Sequence, residues 1–166
     1  NAAGPTSHDG LKGVGPSSGS GTMGTVGPVG YDTHAKGNNV ASFMSAISGQ
    51  ESGNYSARNK DSGAMGKYQI MPGNLGGTHS GWDGEAMHKD VTVNEFMHSP
   101  KIQEQIAQYK LKGYYNKYGP AGAAVAWYAG PGMVSSYLRG GGGGGQGGYP
   151  TINAYVNSIL RRMGLR

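Results

Sequence analysis

Residues 45–72 read SAISGQESGNYSARNKDSGAMGKYQIMP, and here the apolar pattern of a helix ends in a single glutamate, Glu51. The apolar side chains before it recur at i, i+3, i+4 and i+7, the spacing of one helical face: Val40, Phe43, Met44 and Ile47. Glu51 is the next position of this face. The pattern predicts a helix that is capped by Asn38 or Asn39, ends near Gly53 and turns Glu51 toward the core.

A carboxyl group on the apolar side of a helix is costly to bury while it is ionised. Burial of Glu51 therefore requires a partner, or it raises the pKa so that the carboxyl keeps its proton. A protonated carboxylic acid at neutral pH is what a general acid needs to expel a sugar leaving group. The spacing alone favours a simpler interpretation, in which a glutamate at the end of a helix turns to water.

The chain has 33 glycines and 8 prolines, 41 of its 166 residues, and the glycines concentrate in two places. Residues 1–37 have no helical or strand period, which predicts a Gly/Ser/Pro-rich arm or linker. Residues 140–148 predict a flexible glycine loop. The patterned sequence within 38–166 is enough for one small domain. Because no apolar signal core follows Asn1, we expect a processed product or a piece of a longer chain.

Helical periods or caps predict four further helices, over residues 92–98, 99–119, 121–130 and 151–163. The third of these, AGAAVAWYAG, is small and apolar enough to be buried against other helices. Gly119-Pro120 separates it from the second. Residues 54–90 and 129–150 are predicted to be largely irregular. We therefore expect an all-α, or at least α-rich, domain.

The chain carries a net charge of +5 and a sequence pI near 9.4, which favours anionic partners such as nucleic acid, acidic lipid or a cell wall. No stripe of Lys and Arg interleaves with aromatic residues, which argues against nucleic acid. No run of about 18 apolar residues exists, so no membrane span is predicted. The chain has no cysteine, and its five histidines lack metal-ligand spacing. We therefore predict no metal site.

Two motifs appear in order along the chain. In the first, Glu51-Ser52 is followed at fixed spacing by a set of matched residues, namely Gly63, Ala64, Gly66, Gln69, Met71 and Pro72. The second is AWYAGPG at residues 126–132, and Tyr155-Val156 opens the last helix. Together they resemble the signatures of the soluble-type lytic transglycosylases, relatives of goose-type lysozyme whose second motif reads Ala-Tyr-Asn-Ala-Gly-Pro-Gly. The resemblance covers residues 40–163.

This resemblance implies a lysozyme-like, α-helical fold with a glycan-binding cleft, and peptidoglycan as the substrate class. The implied reaction cleaves the β-1,4 bond between N-acetylmuramic acid and N-acetylglucosamine and leaves a 1,6-anhydromuramoyl end. Glu51 would act first as general acid on the glycosidic oxygen and then as base on the muramoyl C6 hydroxyl. The substrate's 2-acetamido group would stabilise the developing cation, the substrate-assisted exception among glycosidases, so no metal or organic cofactor is expected.

The matched positions imply further substrate-binding residues. Gln69 is expected to hydrogen-bond in the cleft, near Glu51 or the sugar. Trp127, at the family's Tyr position, is expected beside the acid or against a sugar face. Tyr68 replaces a usual Met and is expected to line the same groove. Core packing is the alternative for Trp127 and Tyr68.

The chain departs from the family pattern at three positions. Tyr128 stands where the family has Asn, so it lacks the amide that would hydrogen-bond the substrate, and Tyr128 itself is the expected substrate-binding residue at this position. Lys60 replaces a family Ser, and Ser62 is a candidate substitute two residues later. Thr151 replaces the Glu that usually precedes the closing helix. These differences affect the supporting roles and leave the glutamate unchanged.

Two other functions remain open. An aspartate that activates water would make the same fold a lysozyme-type muramidase, and Asp61 and Asp83 are the candidates, although solvated loop residues are the simpler interpretation. The chain would otherwise be a structural or virion protein, such as a phage tail or ejection protein, that keeps the fold without activity. Intact Glu51 and Gln69 favour the enzyme. A wall-acting enzyme works outside the cytoplasm, in the periplasm, in the cell wall or after secretion, or arrives in a phage particle.

Overall fold

The computed structural model describes residues 36–143 and 149–166. In these ranges the chain forms six α-helices: α1 (Val40–Glu51), α2 (Gly81–Met87), α3 (Val93–Met97), α4 (Pro100–Ala129), α5 (Val134–Leu138) and α6 (Ile152–Arg162). Two short 3-10 segments lie at Pro72–Asn74 and Pro131–Met133. Strand-like pairing in the same ranges is limited to isolated bridges, so the predicted all-α fold is confirmed. Most of the predicted arm and residues 144–148 of the predicted glycine loop lie outside the described residues.

Side-chain caps begin four of these helices where the sequence predicts a start. The capping residues are Asn39 for α1, Thr92 for α3, Ser99 for α4 and Thr151 for α6. In the first of them, the side-chain oxygen of Asn39 accepts a hydrogen bond from the Ser42 backbone N–H at 2.8 Å. Each cap satisfies a backbone N–H that has no partner within its helix, which sets the first residue of the element.

Two short helices interrupt stretches that the sequence predicts to be irregular. Helix α2 lies within 54–90 and α5 within 129–150. Helix α2 has only seven residues, two of them glycine, so its sequence carries too little period to indicate a helix. Tertiary contacts hold it, because Trp82 is buried in the core and the Asp83 carboxylate accepts backbone hydrogen bonds at 3.0 Å and 2.7 Å.

Helix α4 is interrupted at Gly119, whose φ of 74° and ψ of 178° are not helical. Pro120 follows and has no N–H to continue the ladder. The predicted boundary is therefore confirmed as a break, although helical structure resumes at once. The residues after the break are almost all buried, as predicted for a closely packed helix: Gly122, Ala123, Ala124, Val125, Ala126, Trp127 and Tyr128.

Helix α4 is the centre of the domain and packs against all five other helices. Helix α1 also packs against α6. That contact brings the last turn of α1 to the first turns of α6, so Glu51 and Tyr155 meet although they are far apart in the sequence. In the ranges that the structure describes, no helix has both the length and the apolar character needed to cross a membrane.

The Gly119→Ala variant is expected to unfold with a free energy about 1 kcal/mol lower than the wild type, because a Cβ is disfavoured at this positive φ. No neighbouring atom lies within 4 Å of the added Cβ, so the effect comes from the backbone. The matched control is Gly113→Ala, which is equally uncrowded but helical and should stabilise by about 0.5–1 kcal/mol. Urea denaturation measures both. Equal stability of the two variants would contradict the left-handed conformation at Gly119.

Candidate active site

Glu51 lies in the last turn of α1 with its side chain enclosed by protein, at 0% exposure. The hydroxyl of Tyr155, on α6, donates a hydrogen bond to Glu51 Oε2 at 2.8 Å. Glu51 Oε1 has no hydrogen-bond partner among the described residues. The prediction that the helix turns Glu51 toward the core is confirmed, and the interpretation in which this side chain turns to water is wrong.

Burial raises the pKa of Glu51 well above its ordinary value of 4.5, and the hydrogen bond from Tyr155 offsets part of that rise. Burial also raises the pKa of Tyr155, and the negative charge of Glu51 raises it further, so the phenol remains a donor. Desolvation disfavours the ionised form of a carboxyl, so Glu51 holds a proton to a higher pH than an exposed glutamate. The pair has the properties of a general acid with a neutral hydrogen-bond donor.

Tyr128, in the second motif, packs directly on Tyr155. Their rings stack with centroids 4.2 Å apart and planes inclined by 11°. The Tyr128 hydroxyl donates a hydrogen bond to the Pro150 carbonyl oxygen at 2.6 Å, just before α6 begins. At the position where the related family has Asn, this chain therefore places an aromatic ring that orients the partner of Glu51.

The remainder of the first motif folds back onto the end of α1. The hydroxyl of Ser52 donates a hydrogen bond to the Gly66 carbonyl oxygen at 2.7 Å. Gly66 has a φ of 73°, and a Cβ there would lie 2.1 Å from the Gln103 side chain, so only glycine fits. Gln103, on α4, accepts a hydrogen bond from the Lys67 backbone N–H at 3.0 Å. The motif serine and glycine thus hold the loop between α1 and α4.

Gln69 lies in this loop with a φ of 55°, a left-handed conformation that is uncommon for residues other than glycine. Its side chain is 1% exposed and donates a hydrogen bond to the Gly66 carbonyl oxygen at 3.0 Å. Its Oε1 has no hydrogen-bond partner within the described part of the chain. Backbone strain and an unsatisfied buried oxygen both lower stability, and such features cluster at functional sites. No hydrogen bond joins Gln69 to Glu51 in this structure.

Three other predicted site residues have structural partners. Tyr68 is buried, and its hydroxyl donates a hydrogen bond to Glu104 at 2.8 Å, so the side chain packs on α4 rather than lining a groove. Trp127 is fully buried with its ring centroid 5.3 Å from that of Trp82, as in the core-packing alternative. Ser62 accepts a hydrogen bond from the Ala64 backbone N–H at 3.1 Å and shapes the loop.

The two aspartates of the hydrolase alternative lie in different environments. Asp83 is fully buried, and its two carboxylate oxygens accept hydrogen bonds from the backbone N–H groups of Gly76 and Val91. Asp61 is exposed, as expected of a solvated loop residue, and its backbone N–H donates to Asn59. Neither carboxylate forms a hydrogen bond with Glu51 in the described ranges.

A buried ion pair, which no motif indicates, joins the first motif to α4. Lys67 Nζ lies 2.6 Å from Glu104 Oε1, and both side chains are almost fully buried. The hydroxyl of Tyr55 donates to the same carboxylate at 3.0 Å, beside that of Tyr68. The sequence holds almost no signal for it: Glu104 stands between two glutamines in a mostly polar segment, and the spacing of Lys67 and Glu104 does not show that they pair.

A groove of about 550 Å³ lies between α2 and α4. Its wall includes Asn74, just after the first motif, and Pro131, within the second. Glu51 and Gln69 do not line it. The cleft expected from the sequence therefore does not open onto the acid in this conformation, because the packing of α1 on α6 encloses the carboxyl.

Glu51→Gln is expected to be more stable than the wild type at pH 7, with a difference that disappears near pH 4. The folded-state pKa of Glu51 lies above the unfolded value, so the folded wild type binds more protons between the two values and loses stability as the pH rises. Each pH unit within that window lowers the free energy of unfolding by about 1.4 kcal/mol. Urea denaturation from pH 4 to 8 measures the difference.

The control for this series is Glu95→Gln, at an exposed glutamate whose pKa is lowered by the hydrogen bond from the Thr92 backbone. The expected stability difference for Glu95→Gln has the opposite sign. The wild-type Glu95 carboxylate stabilises the fold above its unfolded pKa, and this contribution is lost as the pH falls. A stability difference for Glu51→Gln that stays constant from pH 4 to 8 would contradict a raised pKa.

Glu104→Leu is expected to lower the free energy of unfolding by about 3 kcal/mol, because it leaves the Lys67 ammonium buried without its partner. The double variant Lys67→Leu/Glu104→Leu removes both charges and should recover most of that loss. Urea denaturation compares the two proteins. A double variant no more stable than the single one would show that the pair does not act as a buried ion pair.

The family model of the transglycosylase SLT domain matches residues 32–145. No curated protein sequence matches the chain significantly. Among solved structures, the chain is similar to the 70 kDa soluble lytic transglycosylase Slt70 of Escherichia coli, with 25% sequence identity and a TM-score of 0.50. That match covers 75% of this chain and 19% of Slt70, so the chain spans about a fifth of the length of that protein. The two motifs, the all-α fold and the family match agree, and the chain belongs to the transglycosylase SLT domain family.

Proposed function

We propose that the chain is a peptidoglycan lytic transglycosylase. It cleaves the β-1,4 bond between N-acetylmuramic acid and N-acetylglucosamine and leaves a 1,6-anhydromuramoyl end. The observation that carries the proposal is the buried motif glutamate, Glu51, which keeps its proton through desolvation and is held by Tyr155. The family match supports the same conclusion.

The first half of the reaction needs an acid. Protonated Glu51 gives its proton to the glycosidic oxygen, and the bond between that oxygen and the muramoyl C1 breaks. The carbonyl oxygen of the muramoyl 2-acetamido group bonds to C1 and stabilises the positive charge, which makes a second carboxylate unnecessary. N-acetylglucosamine leaves with a free 4-hydroxyl group. The hydrogen bond from Tyr155 supports the carboxylate that Glu51 has become.

The second half needs a base in the same place. The Glu51 carboxylate takes the proton from the muramoyl C6 hydroxyl as O6 attacks C1 and displaces the acetamido oxygen. The product is the 1,6-anhydro sugar, and Glu51 is protonated again for the next cycle. No water is consumed, so exclusion of water from the carboxyl favours this outcome over hydrolysis.

Tyr155 and Tyr128 have positioning roles in this proposal. Tyr155 fixes the carboxyl through its hydrogen bond, and Tyr128 fixes the Tyr155 ring through stacking. Gln69 is the candidate to bind substrate, since its buried amide oxygen has no protein partner in the described ranges.

Because Glu51 is enclosed, a glycan can reach its carboxyl only after the side chains that cover it move apart. The hydrogen bond from Tyr128 to Pro150 is one contact that ties the second motif to the start of α6.

The hydrolase alternative requires a second carboxylate that activates water, and the hydrogen bonds of Asp83 and the exposure of Asp61 give it little support. A structural or virion role for this domain leaves the buried proton-bearing glutamate unexplained. Peptidoglycan lies outside the cytoplasm, so the proposed enzyme works in the periplasm, in the cell wall or after secretion, or is carried by a phage particle. The domain assignment, residues 38–166 with an arm at 1–37, is part of the proposal.

Glu51→Gln is expected to lower the rate of wall lysis by roughly 100- to 10,000-fold, because the amide cannot transfer a proton. A turbidity assay on purified peptidoglycan measures the rate, and circular dichroism checks that the variant is folded. The matched control is Glu95→Gln, an exposed position where glutamine also completes a capping box, and it should lyse walls as the wild type does. Lysis at the wild-type rate by Glu51→Gln would contradict the assignment of Glu51 as the general acid.

Mass spectrometry of the digested wall distinguishes the two chemistries. The transglycosylase yields muropeptides with 1,6-anhydromuramoyl ends, which contain one water fewer than hydrolysis products. Muropeptides with reducing ends as the main products would instead support the muramidase alternative.

A further inference from the structure

Lys67 is held at two points by consecutive residues of α4. Its backbone N–H donates a hydrogen bond to Gln103 Oε1 at 3.0 Å, and its Nζ lies 2.6 Å from Glu104 Oε1. The side-chain amide of Gln103 in turn donates to the Tyr55 carbonyl oxygen at 2.9 Å. Both the backbone and the side chain of Lys67 are thus fixed relative to α4, and a shift of the loop along the helix would break both contacts.

The same residue is also bound to the end of α1. The Lys67 carbonyl oxygen accepts hydrogen bonds from the Ser52 hydroxyl and from the Gly53 backbone N–H, both at 3.2 Å. Ser52 and Gly53 directly follow Glu51 in the chain. Lys67 therefore connects α4 to the segment that carries the proposed acid.

The Glu104 carboxylate binds more of the loop than the lysine. Its oxygens also accept hydrogen bonds from the Tyr55 hydroxyl at 3.0 Å and from the Tyr68 hydroxyl at 2.8 Å. One carboxylate thus holds three residues of the loop. Replacement of a buried ion pair by apolar side chains of similar volume is often neutral or stabilising, so stability alone does not account for this arrangement.

Gln69 is the residue of this loop whose conformation needs such support. Its φ of 55° is uncommon for a residue other than glycine, and its buried side chain donates a hydrogen bond to the Gly66 carbonyl oxygen, one residue before Lys67. A strained backbone conformation persists only where the surrounding contacts enforce it. Apolar contacts are not directional, so they would pack the loop without fixing its position.

We propose that Lys67 and Glu104 are positioning residues that act through Gln69, an inference that rests on the proposed function. The pair fixes the loop relative to α4 and the end of α1, and so keeps the Gln69 amide in place relative to Glu51. Both charged side chains are almost fully buried, so their effect reaches a substrate only through the loop. A displacement of about 1 Å at a site can lower a reaction rate about 100-fold.

The double variant Lys67→Leu/Glu104→Leu tests the proposal, because it removes both charges and leaves neither unpaired. Its urea midpoint should stay near that of the wild type. Its kcat/KM on soluble, uncrosslinked glycan strands should fall about 10- to 100-fold. Gly119→Ala is the control, because it lowers stability through the backbone at a distant point of α4 and should keep kcat/KM within about twofold of the wild type.

A second background separates positioning from a general structural role. Gln69→Gly removes the amide, while glycine adopts a φ of 55° without strain. Because the pair acts through Gln69, adding Lys67→Leu/Glu104→Leu to Gln69→Gly should change kcat/KM by less than about twofold. An undiminished further loss in this background would overturn the proposal, as would a wild-type kcat/KM in the double variant itself.

Hydrogen exchange of the Gln69 side-chain amide, followed by NMR, gives a measurement that needs no turnover. This amide is buried and hydrogen-bonded in the wild type, so its exchange should be about tenfold faster or more in Lys67→Leu/Glu104→Leu. Unchanged exchange would overturn the proposal. Absence of anhydro ends from wild-type digests would instead contradict the proposed function, and the exchange rates would still decide whether the pair holds Gln69.

Lys67→Met/Glu104→Gln is a second variant, which keeps the proposal testable when the leucine pair does not fold. Glutamine retains an acceptor for the hydroxyls of Tyr55 and Tyr68, and methionine retains much of the length of lysine, so chiefly the ion pair is lost. The same loss of kcat/KM and the same faster exchange are expected. Failure of both variants to fold would overturn the proposal, because the fold itself would then require the pair.

Discussion

Packing of α1 against α6 removes the Glu51 carboxyl from water and leaves Tyr155 as its hydrogen-bond donor. Desolvation then raises the pKa of Glu51, because no surrounding water stabilises the ionised form. The packing of α6 against α4 places Tyr155 against Tyr128, so the ring that orients the phenol comes from the second motif. The contact of α1 with α6 thus sets the protonation and enclosure of the proposed acid, and the contact of α6 with α4 orients its hydrogen-bond donor.

Helix α4 connects this contact to the rest of the domain. Its first half holds the loop of the first motif through Gln103 and through the buried pair of Lys67 and Glu104. Its second half, after the break at Gly119, carries the small residues that allow close packing and ends in the second motif. Loop and motif are therefore both held by α4, on either side of its break, and support from helices helps a site to keep its geometry.

Several features of this region lower stability. Glu51 and Gln69 each keep a buried oxygen without a partner in the described ranges, and Gln69 adopts a left-handed backbone conformation. A fold optimised for stability alone would replace such groups by apolar side chains. Their presence together, within the first motif, supports a functional site. The open groove beside the same motifs adds an aromatic surface with two lysines and one glutamate.

Local patterns in the amino-acid sequence determine the caps, the apolar faces and the breaks of the long helices, because these depend on residues within a few positions. The face of α1 also predicts that Glu51 turns inward, and the motif residues predict the family. Helix α2, the Lys67–Glu104 pair and the core position of Tyr68 follow no local pattern, since each depends on contacts with residues distant in the sequence. The partner of Glu51, the enclosure of its carboxyl and the separate groove are likewise decided by tertiary packing, which alone brings α1, α4 and α6 together.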